Sequence, residues 1–446
     1  MRNSDVWVSV REILHAGTVL VAAGLVVKTV SMYKDRMVAQ QFGVSTEMDL
    51  FVVIFGVATF VVSLLANNMN SAFIPVYSGL MEAGRRPESQ GLFFGVFKRM
   101  VICVSGIVLV GLVIVSVWAY VTDSQGASWQ LVNRWETVIA LALWVPISCA
   151  SMVVSAALNG ARRFIIPALT PSISSFMVMI CIWNSGNVPL ERMAWGIMIG
   201  GLLELIFLFR VLYRTFDRHS RCDDEAVRSS IQAVIRQYKP ALAGGLLIGT
   251  APIVDIAVAG LLPSGAISVL SYSNKVPSVV ISILGGAVGT VVLPRFSAMV
   301  SSSKWGEILG LVRISSLVLF LLGLGVVVCV IFGSRDMIEW LYQGGQFHQD
   351  HTWSVAGTQA IYICRLPFVL LTTVFVRMIS ALRENKYLLF GTVFSASANL
   401  ALDLILYRSW GARGIALATV FESCFTCVML GMIALNLLRK QNEGQK

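Results

Sequence analysis

Charge is scarce in this chain. Asp, Glu, Lys and Arg make up 13% of its 446 residues, about half the share found in soluble domains. With 56% hydrophobic residues, too little polar surface is left to cover a water-soluble globule. The same composition excludes a disordered chain. There is no glycine-rich phosphate loop of the Walker type, so this chain is not expected to hydrolyse ATP itself. Histidine is rare, at 4 residues, and only His348 and His351, flanking Asp350, approach a metal pattern, more often a solvated loop. The 8 cysteines are scattered, mostly inside apolar runs, which excludes a secreted disulfide scaffold. Cys424 and Cys427 form a CxxC within an apolar stretch and read as small buried hydrophobes. Short alternating segments are missing too, which excludes a transmembrane β-barrel.

What remains is long apolar runs, with a mean hydropathy of +0.77. An all-α polytopic membrane protein is the reading that fits. Runs of roughly 20 residues predict about twelve spans. Six lie near 14–30, 49–66, 100–121, 138–158, 164–183 and 194–213, and six near 240–262, 266–293, 314–332, 355–379, 388–406 and 414–438. No cleavable signal peptide is evident; Arg2 and Arg11 lead into a first span read as retained. Loop lysines and arginines divide 22 against 7 between the two sides. That asymmetry predicts both termini in the cytoplasm. It also accounts for the net charge of +10 without nucleic acid.

The two halves resemble each other. Phe73–Ser78 is matched by Val292–Ser297, Ala157-Leu158 by Ala381-Leu382, and Gly196 and Glu204 by Gly414 and Glu422, at offsets of 219, 224 and 218. The predicted organisation is therefore an N-terminal six-helix lobe over 1–213, a basic cytoplasmic linker over 214–239 and a C-terminal six-helix lobe over 240–446. Six spans per half make the repeat parallel, a transporter architecture in which two lobes enclose a central cavity that opens alternately to either side.

Ionisable groups inside spans need a reason. Lys28 lies late in span 1, with Lys34 just beyond it; Lys275 lies in span 8 and Arg365 in span 10. Together they would make a cationic cavity suited to a phosphate or pyrophosphate. The alternative is that each snorkels to an interface or pairs with a carboxylate. Asp255 in span 7, Asn399 and Asp403 in span 11 and Thr419 in span 12 are hard oxygen donors that suit a small hard cation. Interhelical hydrogen bonding explains them equally well.

Several motifs resemble those of the MurJ/MviN lipid II flippases. They are Lys34-Asp35-x3-Ala39-x2-Phe42-Gly43-x5-Asp49-x-Phe51, Ala157-Leu158-Asn159-x3-Arg163-Phe164-x2-Pro167-Ala168-x-Thr170-Pro171, Tyr272-x2-Lys275 with Gly289-Thr290-x3-Pro294, and Gly345-x-Phe347 with Arg383-x2-Lys386. The resemblance implies the multidrug/oligosaccharidyl-lipid/polysaccharide exporter fold in the bacterial cytoplasmic membrane. It implies a flippase carrying an undecaprenyl-pyrophosphate-linked saccharide to the periplasmic leaflet. Its partners would be membrane lipids and the glycosyltransferases or polymerase of the same pathway. Lys28, Lys34 and Lys275 stand where the family usually has arginine, and Asp35 and Asp49 join them as substrate-binding candidates. Asp255, Asn399, Asp403 and Thr419 fall on a sodium site; a proton is the other coupling ion. In span 2, Val62 and Asn67 stand near a family arginine and glutamate. The saccharide is lipid II or an exopolysaccharide or O-antigen repeat unit. A drug/cation antiporter on the same fold and a transport-inactive scaffold are the alternatives.

Overall fold

A computed structural model describes residues 3–121, 134–183, 189–216, 223–301, 305–382, 384 and 386–443. Arg2, Arg218, His219, Arg221, Cys222, Lys304, Arg383 and Lys446 lie outside them. The described residues are helical apart from short connections and one isolated bridge between Gly344 and Phe347.

The chain divides into two compact units, one of residues 1–41 and 54–246, the other of residues 42–53 and 247–446. Of the predicted linker, residues 224–239 are helical. Its helix continues into span 7 and belongs with the first unit as far as Leu246. The division also falls inside span 2, so 42–53 belongs with the second unit.

The first unit begins with α1 (Asn3–Phe42). No glycine or proline occurs between Val30 and Gly43, so the helix carries Lys34 and Asp35 inside it instead of ending near residue 30. Span 2 is α2 (Thr46–Val62), a π-helical turn at Ser63–Asn67, and α3 (Asn68–Glu82) with Pro75 inside. Then come α4 (Arg86–Val121), α5 (Trp135–Gly160), α6 (Ile165–Leu169), α7 (Pro171–Ile182), α8 (Leu190–Tyr213) and α9 (Asp224–Gly249). Small residues bring α8 close to its neighbours, as expected where helices pack in lipid. A Cβ on Gly200 would stand 2.6 Å from the Ser174 Cα of α7, and one on Gly201 2.9 Å from the Trp144 ring of α5.

The second unit holds α10 (Ala251–Ala259), α11 (Ala266–Ser301), α12 (Trp305–Tyr342), α13 (Gln349–Tyr362), a 3-10 turn at Ile363–Arg365, α14 (Leu366–Ala381) and α15 (Lys386–Glu443). At 1.5 Å per residue, 58 residues far exceed a hydrocarbon core of about 30 Å. Gly411, at φ 56° and ψ −136°, breaks α15 into two arms. The arms fold back on each other, since Leu430 packs against Gly391 and Ser395 bonds Glu422. Spans 11 and 12 are these arms. Phe296, Ile308, Val374, Met378 and Leu430 form one core of this unit.

Nine stretches among the described residues are long and apolar enough to cross a membrane, the arms of α15 counting as one. Many of their large apolar side chains face outward, including Ile102, Leu109 and Ile114 of α4 and Ile314, Leu317 and Leu321 of α12. A helix satisfies its backbone groups internally while these apolar side chains face outward. That is the arrangement a bilayer requires.

Candidate functional site

The second unit gathers the predicted cation ligands. Asp255 stands on the short helix α10, which starts afresh after Thr250 with Pro252 in its first turn. Asn399 and Asp403 lie one turn apart on the first arm of α15 and are buried. The Asp255 and Asp403 carboxylates face each other with Asn399 alongside. Both Asp403 oxygens, Asp255 Oδ1 and Asn399 Oδ1 are buried and meet no hydrogen-bond donor. Thr419, on the second arm, sits beside Tyr362 and donates to the Ile415 carbonyl at 3.1 Å, leaving its oxygen lone pairs in place.

Bare oxygen acceptors crowded in an apolar interior are costly unless something positive meets them. Two carboxylates, an amide oxygen and a hydroxyl fit a small hard cation such as sodium. A cavity of about 140 Å³ bordered by Asp255, Ser271, Asn274 and Tyr362 reaches this cluster.

Arg365 belongs to the same neighbourhood. Its Nη2 donates to Asn274 Oδ1 at 2.7 Å, its guanidinium lies 5.5 Å from the Tyr362 ring centroid, and Asp255 and Glu422 are its acidic neighbours. Expected among the substrate-binding cations, it has the carboxylates of its own unit as neighbours. Glu422 is held by the hydroxyls of Ser395, Ser423 and Thr426. Tyr362, Asn274 and Glu422 carry no sequence signal as site residues; Glu422 is visible only as a repeat marker.

Asp49 also departs from expectation. It lies in the part of span 2 that belongs to the second unit. Its Oδ2 accepts from the Gly265 amide at 2.5 Å, and its Oδ1 accepts from the Ser268 amide at 2.6 Å and from the Ser268 hydroxyl. Both oxygens are thus engaged at the positive N-terminus of α11, where an anion is favoured. Asp49 is a cap there.

The cationic candidates divide between the units. Lys28 and Lys34, both half-buried, ride on α1, and Lys34 pairs with Asp35 at 3.0 Å. Lys275 is half-buried on α11, next to the Asn274 that binds Arg365. Arg377 on α14, missed in the sequence, is a further intramembrane cation. His348 and His351 form a capping box at the start of α13, with His351 Nδ1 accepting from the His348 amide at 3.3 Å. Among the described residues no three His, Cys, Asp or Glu side chains group to hold a metal.

Lipid-facing helices in two units, with uncompensated oxygens buried inside one of them, describe a multi-pass membrane transporter. Known proteins place it further. The family model described as "Lipid II flippase MurJ" matches residues 38–445, and the chain belongs to that family, whose members are transporters and not enzymes. A relative from Thermotoga maritima described as "Probable lipid II flippase MurJ" is 27% identical over 427 residues, covering 93% of this chain and 83% of the relative. The solved structure "Lipid II flippase MurJ, inward closed conformation" matches with a TM-score of 0.73 at 21% identity, over 92% of this chain and 86% of the other. An inward-facing multidrug resistance transporter of the MATE family and MOP superfamily matches with a TM-score of 0.77 at 13% identity, over 95% and 99%. These two likenesses concern the fold.

Proposed function

We propose that this chain carries an undecaprenyl-pyrophosphate-linked saccharide from the cytoplasmic to the periplasmic leaflet of the bacterial inner membrane, by alternating access and with both termini in the cytoplasm. Family membership over residues 38–445 carries this reading. Lys28, Lys34 and Lys275 supply positive charge to the pyrophosphate. Lys34 is already paired with Asp35 at 3.0 Å, so the incoming phosphate exchanges one anion for another and the lysine is never left bare in the membrane. Lysine gives charge without the bidentate fork of arginine.

Asp255, Asn399, Asp403 and Thr419 are the coupling site, and sodium is the ion. When bound, the ion would offset the two facing carboxylates. The four ligands lie on α10 and on both arms of α15, so occupancy ties these elements together. A ligand preferring one arrangement of them shifts the population toward it. Lipid II and a polysaccharide repeat unit are both candidate saccharides, supplied and consumed by the glycosyltransferases or polymerase of one pathway.

The test is flipping in proteoliposomes under a sodium gradient without ATP, with lipid II and a lipid-linked O-antigen unit as separate substrates. Transport of either is expected. The antiporter on the same fold draws on the MATE likeness; sodium-coupled movement of ethidium, with neither lipid flipped, would replace the present reading with that one.

A further inference from the structure

The first unit contains a larger polar cavity, of about 510 Å³, within the range of small-ligand pockets. One wall is a single face of α5, where Ser151, Ser155 and Asn159 recur every fourth residue. Asn70 of α3 and Glu204 of α8 add polar groups, and Trp144 adds an aromatic face.

These polar groups are not consumed by packing. Serines elsewhere on the spans, such as Ser116 and Ser282, donate to a carbonyl three or four residues back, the usual way a helical hydroxyl satisfies itself. Ser151 Oγ and Asn70 Oδ1 are buried and have no partner. The internal repeat sharpens the point. Glu422, the counterpart of Glu204, is filled by three hydroxyls of its own unit. Glu204 borders the cavity with one hydroxyl, that of Thr170, as a hydrogen-bond partner, and that hydroxyl is shared with the Pro167 carbonyl at 3.2 Å.

Trp144 is held as a rigid plate. Its ring packs on Gly201, where a Cβ would stand 2.9 Å from it, and on Phe55, with centroids 5.5 Å apart. A fixed indole beside hydroxyls, amides and one carboxylate suits a flat, polyhydroxylated ring. The ring's C–H face lies on the aromatic while its hydroxyls meet the polar edge. One carboxylate is too few for a cation cage.

The geometry points to a saccharide subsite in the first unit, taking a sugar ring of the carrier-linked glycan; the inference rests on the flippase reading. Asn159 lies toward the end of α5 that leads to Arg162 and Arg163, the side from which the loaded carrier arrives.

The probes are lipid II and sugar-free undecaprenyl pyrophosphate, titrated onto the full chain in nanodiscs. Wild type should bind lipid II at least about tenfold tighter, the scale of one or two hydrogen bonds. Glu204→Gln, and Ser151→Leu, which fills the cavity, should erase that preference and leave affinity for undecaprenyl pyrophosphate unchanged. Trp144→Phe should keep most of it and Trp144→Ala lose it. Ser155→Ala, a small change that leaves the fold intact, should reduce the preference even where Ser151→Leu fails to fold. Equal binding of the two probes by wild type, or variants that keep the full preference, would mean that the cavity holds water only. Wild type binding neither probe would remove the flippase reading together with the subsite.

Discussion

Asp403 has two buried oxygens and no donor for either. A group in that state waits for a cation or a proton. Purified protein should therefore melt several degrees higher in sodium chloride than in choline chloride, since a ligand at 100 times its Kd stabilises by about 2.7 kcal/mol. In Asp403→Asn the sodium increment should vanish, and a variant with an undiminished increment would return these residues to ordinary helix packing. Lys275 is tested by growth. Lys275→Ala should fail to complement a flippase-deficient strain at normal protein level, while Lys275→Arg, which keeps the charge, should restore it. The buried grouping of Asp255, Asn399 and Asp403 was legible because polar side chains stand out in apolar runs. Tyr362 was not, since a tyrosine is at home in any span, and the capping contacts of Asp49 were not, because its partners lie 216 and 219 positions away in sequence.

Turns and breaks decide how the helices are laid out. Gly43 adopts φ +59°, and a Cβ there would stand 2.4 Å from the Gln346 carbonyl oxygen. Gly43→Ala combines a left-handed backbone with a clash against main chain, so a loss of about 1–3 kcal/mol should appear as a lower melting temperature. Asp49→Ala should cost about 1–2 kcal/mol through the lost cap on α11, read in the same melting assay; an unchanged melting temperature would show that the cap carries no weight. Twelve apolar runs are visible in the sequence and nine stretches in the described residues, and the difference is largely instructive. The turn at Gly411 lies among Tyr407, Arg408, Ser409 and Arg413, so hydropathy shows two runs where the helix is broken at a single residue. Conversely, the helix of α1 outlasts its apolar run because no glycine or proline interrupts residues 31–42.

On the scale of the whole molecule, the internal repeat was visible in three residue offsets, yet the unit boundary was not. Besides the division at 246/247, residues 42–53 belong with the second unit, at a place with no change in composition, because membership is set by packing that the linear pattern does not encode. The asymmetry of loop charges makes its own prediction. A fluorescent protein fused to the C-terminus should glow and an alkaline phosphatase fused there should be inactive; the reverse result would invert the assigned orientation.

The hairpin at Gly411 also has a biosynthetic consequence. During translation Asp255 enters the bilayer first, then Asn399 and Asp403 on the arm before the turn. Thr419 arrives only with the arm after it. Until that second arm is inserted, the nascent protein carries two acidic side chains in lipid without their full set of companions. On the coupling reading proposed above, a chain stalled before the turn should be insensitive to sodium, and one that has passed it should respond.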